Sequence, residues 1–275
     1  MNWEAPVVNL TAVRTELDDL IRRAPGTVGL VIEDLATGER LEWSPEARFP
    51  SASIIKIPIL VEALRQAEEG TVRLDQMVPV PDDAKVGGSG ILKELTSVES
   101  LSLLDLLTLM IVVSDNTATN LCIDVLGLET INRTIASLGL TGTQLQRKMF
   151  DYEARDRGLE NITTAADIAR LLRLIATRQI LTPEACDLAI DIMARQQVRD
   201  RLPLYLPDDM RVAHKTGELP GVRHDAGVIF FDSGPVIVVA LTQGFPDPLS
   251  QSVFGGDASA LIAQIPRVLL KHQRQ

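Results

Sequence analysis

The sequence has 275 residues, is 45% hydrophobic and carries a formal net charge of −10. A chain of this length and composition buries a large core, which excludes an intrinsically disordered protein. The 37 acidic residues outnumber the 27 basic ones, which argues against nucleic acid as the main partner, because phosphate binding relies on lysine and arginine.

The amino terminus, Met-Asn-Trp-Glu-Ala-Pro, has neither the basic nor the apolar region of a signal peptide. The longest apolar stretch, residues 101–113, is interrupted by three polar residues, which predicts no membrane span. We therefore expect a cytoplasmic protein as the sequence is written, or a periplasmic or secreted one if a leader was removed. Cys122 and Cys186 fall in apolar helical patterns, which favours buried free thiols, with a disulfide as the alternative.

Hydrophobic periodicity predicts the elements in chain order. Residues 9–23 form an amphipathic helix, and residues 27–35 and 39–43 form a β-hairpin. A helical block follows, with its best segments at residues 57–69, 101–113, 118–126, 129–138, 163–176 and 183–194. Strands return at residues 211–214, 226–231 and 236–243, and a helix over residues 252–272 closes the chain.

This order predicts an α+β fold, in which terminal helices pack on a five-stranded antiparallel sheet and an all-helical domain is inserted. Residues 1–50 and 196–275 form the sheet domain, residues 51–195 form the helical domain, and the active site lies between them. Threonines at 164 and 182 are expected to begin helices. Two long polar loops, residues 79–90 and 147–161, interrupt the helical pattern, and such loops are often functional.

Ser53 and Lys56 stand three residues apart beside an apolar run, which predicts a helix that begins near Ser53. Side chains three apart share one helix face, so the ammonium can lie near the hydroxyl. A serine hydroxyl needs an adjacent base or cation to become a good nucleophile. Taken alone, the pattern also fits a capping serine followed by a surface lysine, and Pro58 is costly deep in the helix.

Two further polar clusters follow. Ser114-Asp115-Asn116 separates two apolar helices, where it serves either as a helix cap or as a proton relay and amide ligand. Lys215-Thr216-Gly217 follows the strand at 211–214. It is either a charged strand edge or a site for an extended acyl substrate, with the lysine on a carboxylate and Gly217 leaving room for close approach.

These three clusters, in this order, are the signature set of serine β-lactamases and penicillin-binding proteins. The chain therefore resembles the class A β-lactamase-related serine hydrolases from about Ala12 to Val268. The resemblance implies that Ser53 is the acylated nucleophile and that Lys56 helps to deprotonate it. Ser114 would relay a proton to the leaving nitrogen, and Asn116 would orient Lys56 and the substrate's side-chain amide.

The resemblance also implies a substrate-binding edge. Lys215 and Thr216 would bind the substrate carboxylate, and Arg223 would supply an additional cation. The backbone N–H groups of Ser53 and Glu218 would form the oxyanion hole.

One part of the chain departs from the family pattern. The family carries a glutamate, in the string Arg-x-Glu, that activates the deacylating water; aligned on Arg147, Met149 occupies its position. Methionine accepts no proton. Asp151 or Glu153 would take over this role, with Glu153 the assigned candidate, or both are solvated loop acids. The loop arginines are expected to pair with the acids at 151, 153 and 156.

Together these patterns predict a serine hydrolase that forms an acyl-enzyme on Ser53 and hydrolyses β-lactam amides. The alternatives are a peptidase or esterase with the same nucleophile, a slowly deacylating penicillin-binding protein, or a β-lactam sensor. Glutaminases share the fold and a serine–lysine pair, but the intact Lys-Thr-Gly argues against them. We expect no cofactor and no metal, because three scattered histidines lack ligand spacing. The expected partner of this monomer is a small acyl compound.

Overall fold

A computed structural model describes residues 9–246 and 257–273. Its centre is a five-stranded antiparallel sheet with the order β2-β1-β9-β8-β7. The strands are β1 (Thr27–Asp34), β2 (Arg40–Trp43), β7 (Val212–Leu219), β8 (Val222–Phe231) and β9 (Gly234–Gln243). Short two-stranded pairs lie outside it: β3 (Phe49–Pro50) with β6 (Ile162–Thr163), and β4 (Met77–Pro79) with β5 (Ser100–Ser102). The predicted α+β fold with its five-stranded antiparallel sheet is confirmed.

The helices follow the predicted periodicity. They are α1 (Leu10–Arg22), α2 (Lys56–Glu68), α3 (Leu103–Val112), α4 (Asn116–Leu126), α5 (Leu128–Ser137), α6 (Tyr152–Asp156), α7 (Ala165–Ala176), α8 (Pro183–Ala194) and α9 (Asp257–Lys271). Thr164 and Thr182 cap α7 and α8 through their side chains, as predicted, and thereby satisfy N–H groups that the first helical turn leaves unpaired.

Two apolar cores lie on opposite faces of the sheet. On one face, residues such as Leu30 and Val238 pack with the terminal helices α1 and α9. On the other face, residues such as Val31 and Val239 join a larger core with the helices between β2 and β7. Successive strand residues alternate between these cores, as the pleat requires. The predicted boundaries of two domains stay a prediction.

The structure differs from the predicted elements in four main places, the first being that the strand expected at 226–231 begins at Val222. The strand expected at 211–214 continues to Leu219, so Lys215 lies inside β7 and not beyond its end. The stretch predicted to start a helix at 101 begins instead as strand β5. The five-residue helix α6 was not predicted, because its charged sequence lacks helical periodicity. The first residues of the helix predicted over 252–272 lie outside the described residues.

Candidate active site

A tight turn presents Ser53 at the start of the helical block. The turn is a 3₁₀ helix, Ala52–Ile55, that runs into α2, and Ala52 has a left-handed φ of 45°. Strained backbone of this kind is often kept at functional sites. Because α2 begins at Lys56, Pro58 falls in the first helical turn, where an N–H has no intrahelical partner. Pro58 therefore costs less than the sequence suggested.

Strand β7 packs directly against this turn at Gly217. A Cβ on Gly217 would lie 3.2 Å from both Ala52 Cβ and Ile54 Cγ1. The glycine thus lets the strand that carries Lys215 and Thr216 approach the turn that carries Ser53. The close approach expected at Gly217 therefore involves the turn that carries Ser53.

The amine of Lys56 is fully buried among polar atoms. Its Nζ donates to Ser114 O at 2.8 Å, to Ser114 Oγ at 3.0 Å and to Asn116 Oδ1 at 2.9 Å. Burial lowers the pKa of Lys56 from its ordinary value to about 7, against the opposing attraction of Asp115. Lys56 therefore exchanges its proton near neutral pH, which an ordinary lysine does not.

The Ser114-Asp115-Asn116 turn performs the capping role and brings polar side chains to Lys56. Asp115 caps α4 through Ala118 N at 2.9 Å, and its other oxygen accepts from Ile91 N and Leu92 N. Ser114 has a left-handed φ of 55°, and its Oγ accepts a hydrogen bond from Lys56 Nζ. Asn116 Nδ2 donates to Gly87 O at 3.1 Å. The turn thus joins Lys56 to the glycine-rich loop, residues 87–90.

Lys215 and Thr216 are both buried in β7. Lys215 Nζ donates to Thr216 O at 2.8 Å. Burial, together with the charge of Lys56, lowers the pKa of Lys215 well below its ordinary value. The positive charge of Lys56 therefore adds to burial in disfavouring the protonated form of Lys215.

Two arginines hold the Glu218 side chain. Arg201 Nη2 lies 2.8 Å from Glu218 Oε2, and Arg223 Nη2 lies 3.2 Å from Glu218 Oε1. Arg201 is almost fully buried and also donates to His224 O at 3.2 Å. Arg201 therefore holds Glu218 on β7 without lining the cavity, whereas Arg223 lines the cavity together with Ser53. The sequence analysis missed Arg201, which no motif marks.

His224 faces away from the cavity. Its Nε2 lies 2.8 Å from Pro50 O, and Thr242 N donates to its Nδ1 at 3.1 Å. Burial lowers the pKa of His224 to about 4, so the ring is neutral near pH 7. His224 positions the chain just before the Ser53 turn.

Ser53 opens onto a cavity of about 680 Å³. One wall is the loop of residues 147–160, which we call the 147–160 loop. Arg147 and Glu160 close its neck, with Arg147 Nη2 at 2.8 and 3.0 Å from the two carboxylate oxygens. Asn161 Oδ1 accepts from Gln146 N at 2.7 Å and Arg147 N at 3.0 Å. The ion pair expected between Arg147 and a nearer loop acid is formed with Glu160 instead.

Met149 lines the cavity from this loop. The Asn120 side chain bonds to both backbone polar groups of Met149. Met149 N donates to Asn120 Oδ1 at 2.8 Å, and Asn120 Nδ2 donates to Met149 O at 3.0 Å. Asn120 was also missed, although it lies four residues after Asn116 on the same helix face. The aligned Met149 is thus a fixed part of the cavity wall.

The two acids considered as replacements lie elsewhere. Asp151 caps α6, where its Oδ1 accepts from Ala154 N at 2.9 Å. Glu153 is exposed on α6 and is not among the residues that line the cavity. The carboxylates that do line it, among the described residues, are Glu160 and Glu218, and each is paired with arginine. No unpaired carboxylate therefore faces the cavity in the part of the chain that the structure describes.

Residues 9–246 and 257–273 contain neither a metal-binding cluster nor a membrane-spanning helix. In that part of the chain, no group of three or more His, Cys, Asp or Glu side chains suits a metal ion. None of the helices described there is long and apolar enough to cross a membrane. Cys122 and Cys186 are both buried free thiols, so the alternative disulfide is not formed.

Comparisons with known proteins agree with this geometry. The β-lactamase regulatory protein BlaB of Streptomyces cacaoi is 24% identical, over 98% of this chain and 100% of its own. The β-lactamase structure from Sphaerobacter thermophilus superposes with a TM-score of 0.83 at 30% identity, covering 96% of this chain and 97% of that one.

A structure of PBP-A gives a TM-score of 0.84 at 30% identity, over 95% of this chain and 96% of that one. A mutant of PBP-A, solved as its acyl-enzyme complex with penicillin G, gives 0.84 at 29% identity, over 96% of each chain. These relatives support a β-lactam hydrolase or penicillin-binding type of function that acts on a small molecule. The model of the β-lactamase enzyme family matches residues 12–273, and the chain belongs to that family.

Proposed function

We propose that this protein is acylated by β-lactams on Ser53 and releases the acyl group slowly, in the manner of a penicillin-binding protein. The observation that carries the proposal is the cavity wall beside Ser53. Met149, which aligns on Arg147 with the family's deacylation base, lines this wall, and both carboxylates of the cavity are paired with arginine.

The hydrogen-bonded group of Lys56, Ser114 and Asn116, which we call the Lys56 cluster, supports fast acylation. With a pKa of about 7, a large fraction of Lys56 is neutral at physiological pH, and the neutral amine accepts the Ser53 hydroxyl proton. The Ser53 oxygen then forms a bond to the lactam carbonyl carbon, and the carbon–nitrogen bond breaks. Ser114, which is hydrogen-bonded to Lys56, passes the proton to the departing nitrogen. Atoms and charge balance without a co-reactant.

The β7 edge supplies binding. Lys215, Thr216 and Arg223 take the substrate carboxylate: Arg223 lines the cavity, and Lys215 and Thr216 precede the cavity-lining Glu218 on β7. The N–H groups of Ser53 and Glu218 stabilise the oxyanion. Asn116 accepts a hydrogen bond from Lys56 and thereby orients it, and Asn116 also orients the amide of the acyl side chain.

Slow release follows from the wall of the cavity. Hydrolysis of the ester needs a group that removes a proton from water, and a positioned base contributes about 10²–10⁴-fold in rate. Both carboxylate oxygens of Glu160 accept hydrogen bonds from Arg147, and the carboxylate of Glu218 forms ion pairs with Arg201 and Arg223. Neither carboxylate is free to act as the base.

The test is intact-protein mass spectrometry after mixing with a chromogenic cephalosporin, with absorbance followed in parallel. We expect one equivalent of colour and a lasting adduct, which Ser53→Ala abolishes. Continuous colour without an adduct would instead identify an efficient β-lactamase with a substitute base. No adduct and no colour would overturn the proposal and leave a peptidase or esterase as the remaining function for Ser53.

A further inference from the structure

A carboxylate of the chain itself occupies the arginine that the β7 edge offers to a substrate. Glu218 and Arg223 lie directly opposite each other on the neighbouring strands β7 and β8. Arg223 Nη2 lies 3.2 Å from Glu218 Oε1, and both residues line the same cavity as Ser53. Opposite charges in facing positions of an antiparallel pair attract each other, so the register of the sheet sets this ion pair.

The other contacts of Arg223 leave few of its donors for a substrate. Its Nη1 donates to Leu219 O and to Val222 O, each at 2.9 Å. Those two bonds use both hydrogens of Nη1 and hold the guanidinium on the turn between β7 and β8. Nη2 is therefore the terminal nitrogen left for an external carboxylate, and Glu218 lies against it.

Glu218 can release Arg223 and still stay paired. Its second oxygen, Oε2, lies 2.8 Å from Nη2 of Arg201, whose side chain is 1% exposed and does not line the cavity. Arg201 also donates to His224 O at 3.2 Å, which holds its guanidinium in place. The Glu218 side chain is 58% exposed, so it has room to move. A substrate carboxylate can thus replace Oε1 on Arg223 while Arg201 keeps Oε2.

We propose that Glu218 is a specificity-determining residue, whose carboxylate competes with the substrate carboxylate for Arg223. This inference deepens the proposed function and rests on it, because it requires acylation of Ser53 by β-lactams. The competition weakens the binding of anionic acyl donors and does not act on neutral ones. The site therefore discriminates less against acyl donors without a carboxylate than Lys215, Thr216 and Arg223 alone would.

The experiment measures acylation of the full chain by benzylpenicillin, which is an anion, and by its uncharged methyl ester. Quenched-flow intact-mass spectrometry over a range of concentrations gives the apparent dissociation constant and the limiting acylation rate for each compound. Glu218→Gln keeps the size of the side chain and removes its charge. We expect it to raise the preference for the acid over the ester about tenfold, because the acid no longer displaces an ion pair. The gain should lie in the dissociation constant of the acid and not in the limiting rate.

Glu160→Gln is the matched control, because it removes the charge of the other cavity carboxylate, which is held by Arg147 and not by Arg223. It should keep the wild-type preference between acid and ester. A gain as large as that of Glu218→Gln would show that any negative charge in the cavity has the same effect, and would overturn the competition for Arg223.

A double-mutant cycle tests whether the effect acts through Arg223. In an Arg223→Met background, Glu218→Gln should leave the preference unchanged, whereas simple repulsion between Glu218 and the substrate anion would still raise it. A rise that persists in that background, or no rise in Glu218→Gln alone, would overturn the competition while leaving the proposed function intact. A wild type that neither compound acylates would overturn both.

Discussion

The Lys56 cluster and the 147–160 loop face the same cavity but satisfy their polar groups in opposite ways. In the Lys56 cluster, side chains from α2 and from the 114–116 turn bond to one another in a buried network. In the loop, carboxylates are used for capping or for ion pairs, and the side chains that reach the cavity include Met149, Phe150 and Tyr152. Under the proposed function, this difference provides groups for the acylation step and leaves no free carboxylate for the deacylation step.

The largest expected effect comes from removing the buried amine. Lys56→Met should lower the rate of Ser53 acylation about 10³-fold, because the neutral amine is the base for the serine hydroxyl. Single-turnover mass spectrometry measures this rate. Lys271→Met, which removes an exposed lysine on α9, should leave the rate unchanged. A Lys56→Met protein that acylates normally would show that another group activates Ser53.

Adding a carboxylate to the 147–160 loop should accelerate the deacylation step. Met149→Glu should increase deacylation about 10²-fold, because it adds a carboxylate to a cavity-lining position whose backbone Asn120 fixes. The decay of the adduct mass measures this rate. Met149→Gln is the matched control, since it has the same shape but no basic carboxylate. Equal decay in both variants would contradict the assignment of position 149.

The pH profile tests the Lys56 cluster without mutation. Since the pKa of Lys56 is lowered to about 7, the neutral form gains as pH rises, and acylation should increase about tenfold between pH 6 and pH 8. Stopped-flow acylation at constant ionic strength measures it. Lys56→Met should lack this rise. A flat wild-type profile would show that Lys56 does not act as the base.

A smaller effect should follow from opening the neck of the loop. Glu160→Gln removes the carboxylate from Arg147, whose side chain is only 11% exposed, and should lower stability by about 1 kcal/mol, or Tm by about 2–4 °C. Asp156→Asn breaks an exposed pair with Arg155 in the same loop and should leave Tm unchanged. Equal losses in thermal melts of the two variants would refute the distinction.

The smallest effect is expected at Glu153, the carboxylate that the sequence analysis assigned as the replacement base. Glu153→Gln should change deacylation less than about twofold, because the side chain is exposed and lies outside the cavity lining. Adduct decay measured beside the wild type provides the test. A large slowing would return Glu153 to the role of deacylation base.

Hydrophobic periodicity predicted most helices and strands, but it failed where polar residues are buried inside a strand. The helices with an apolar stripe, such as α7, were predicted to within two residues at each end. The end of β7 was missed because a buried lysine, a threonine and a glycine break the apolar alternation that signals a strand. The motifs containing Ser53, Ser114 and Lys215 brought the site together in the sequence before any geometry was known.

The supporting residues could not be read from the sequence. Arg147 pairs with Glu160, thirteen positions away, and not with a nearer acid, because the loop folds back on itself at its neck. Arg201 lies in a stretch without a motif and reaches Glu218 only through the fold of the sheet. Asn120 acts on a loop 29 residues away. Such pairings depend on tertiary contacts that local pattern does not encode.

The 147–160 loop and the nucleophile turn are also mechanically coupled. Ser51 N donates to Asn161 O at 2.7 Å, and Phe49–Pro50 pairs with Ile162–Thr163 just beyond the neck of the loop. The chain that leads into Ser53 is therefore anchored to the chain that leaves the loop. Any substrate that pushes the loop outward pulls on the segment before Ser53, so the cavity cannot widen without disturbing the position of Ser53.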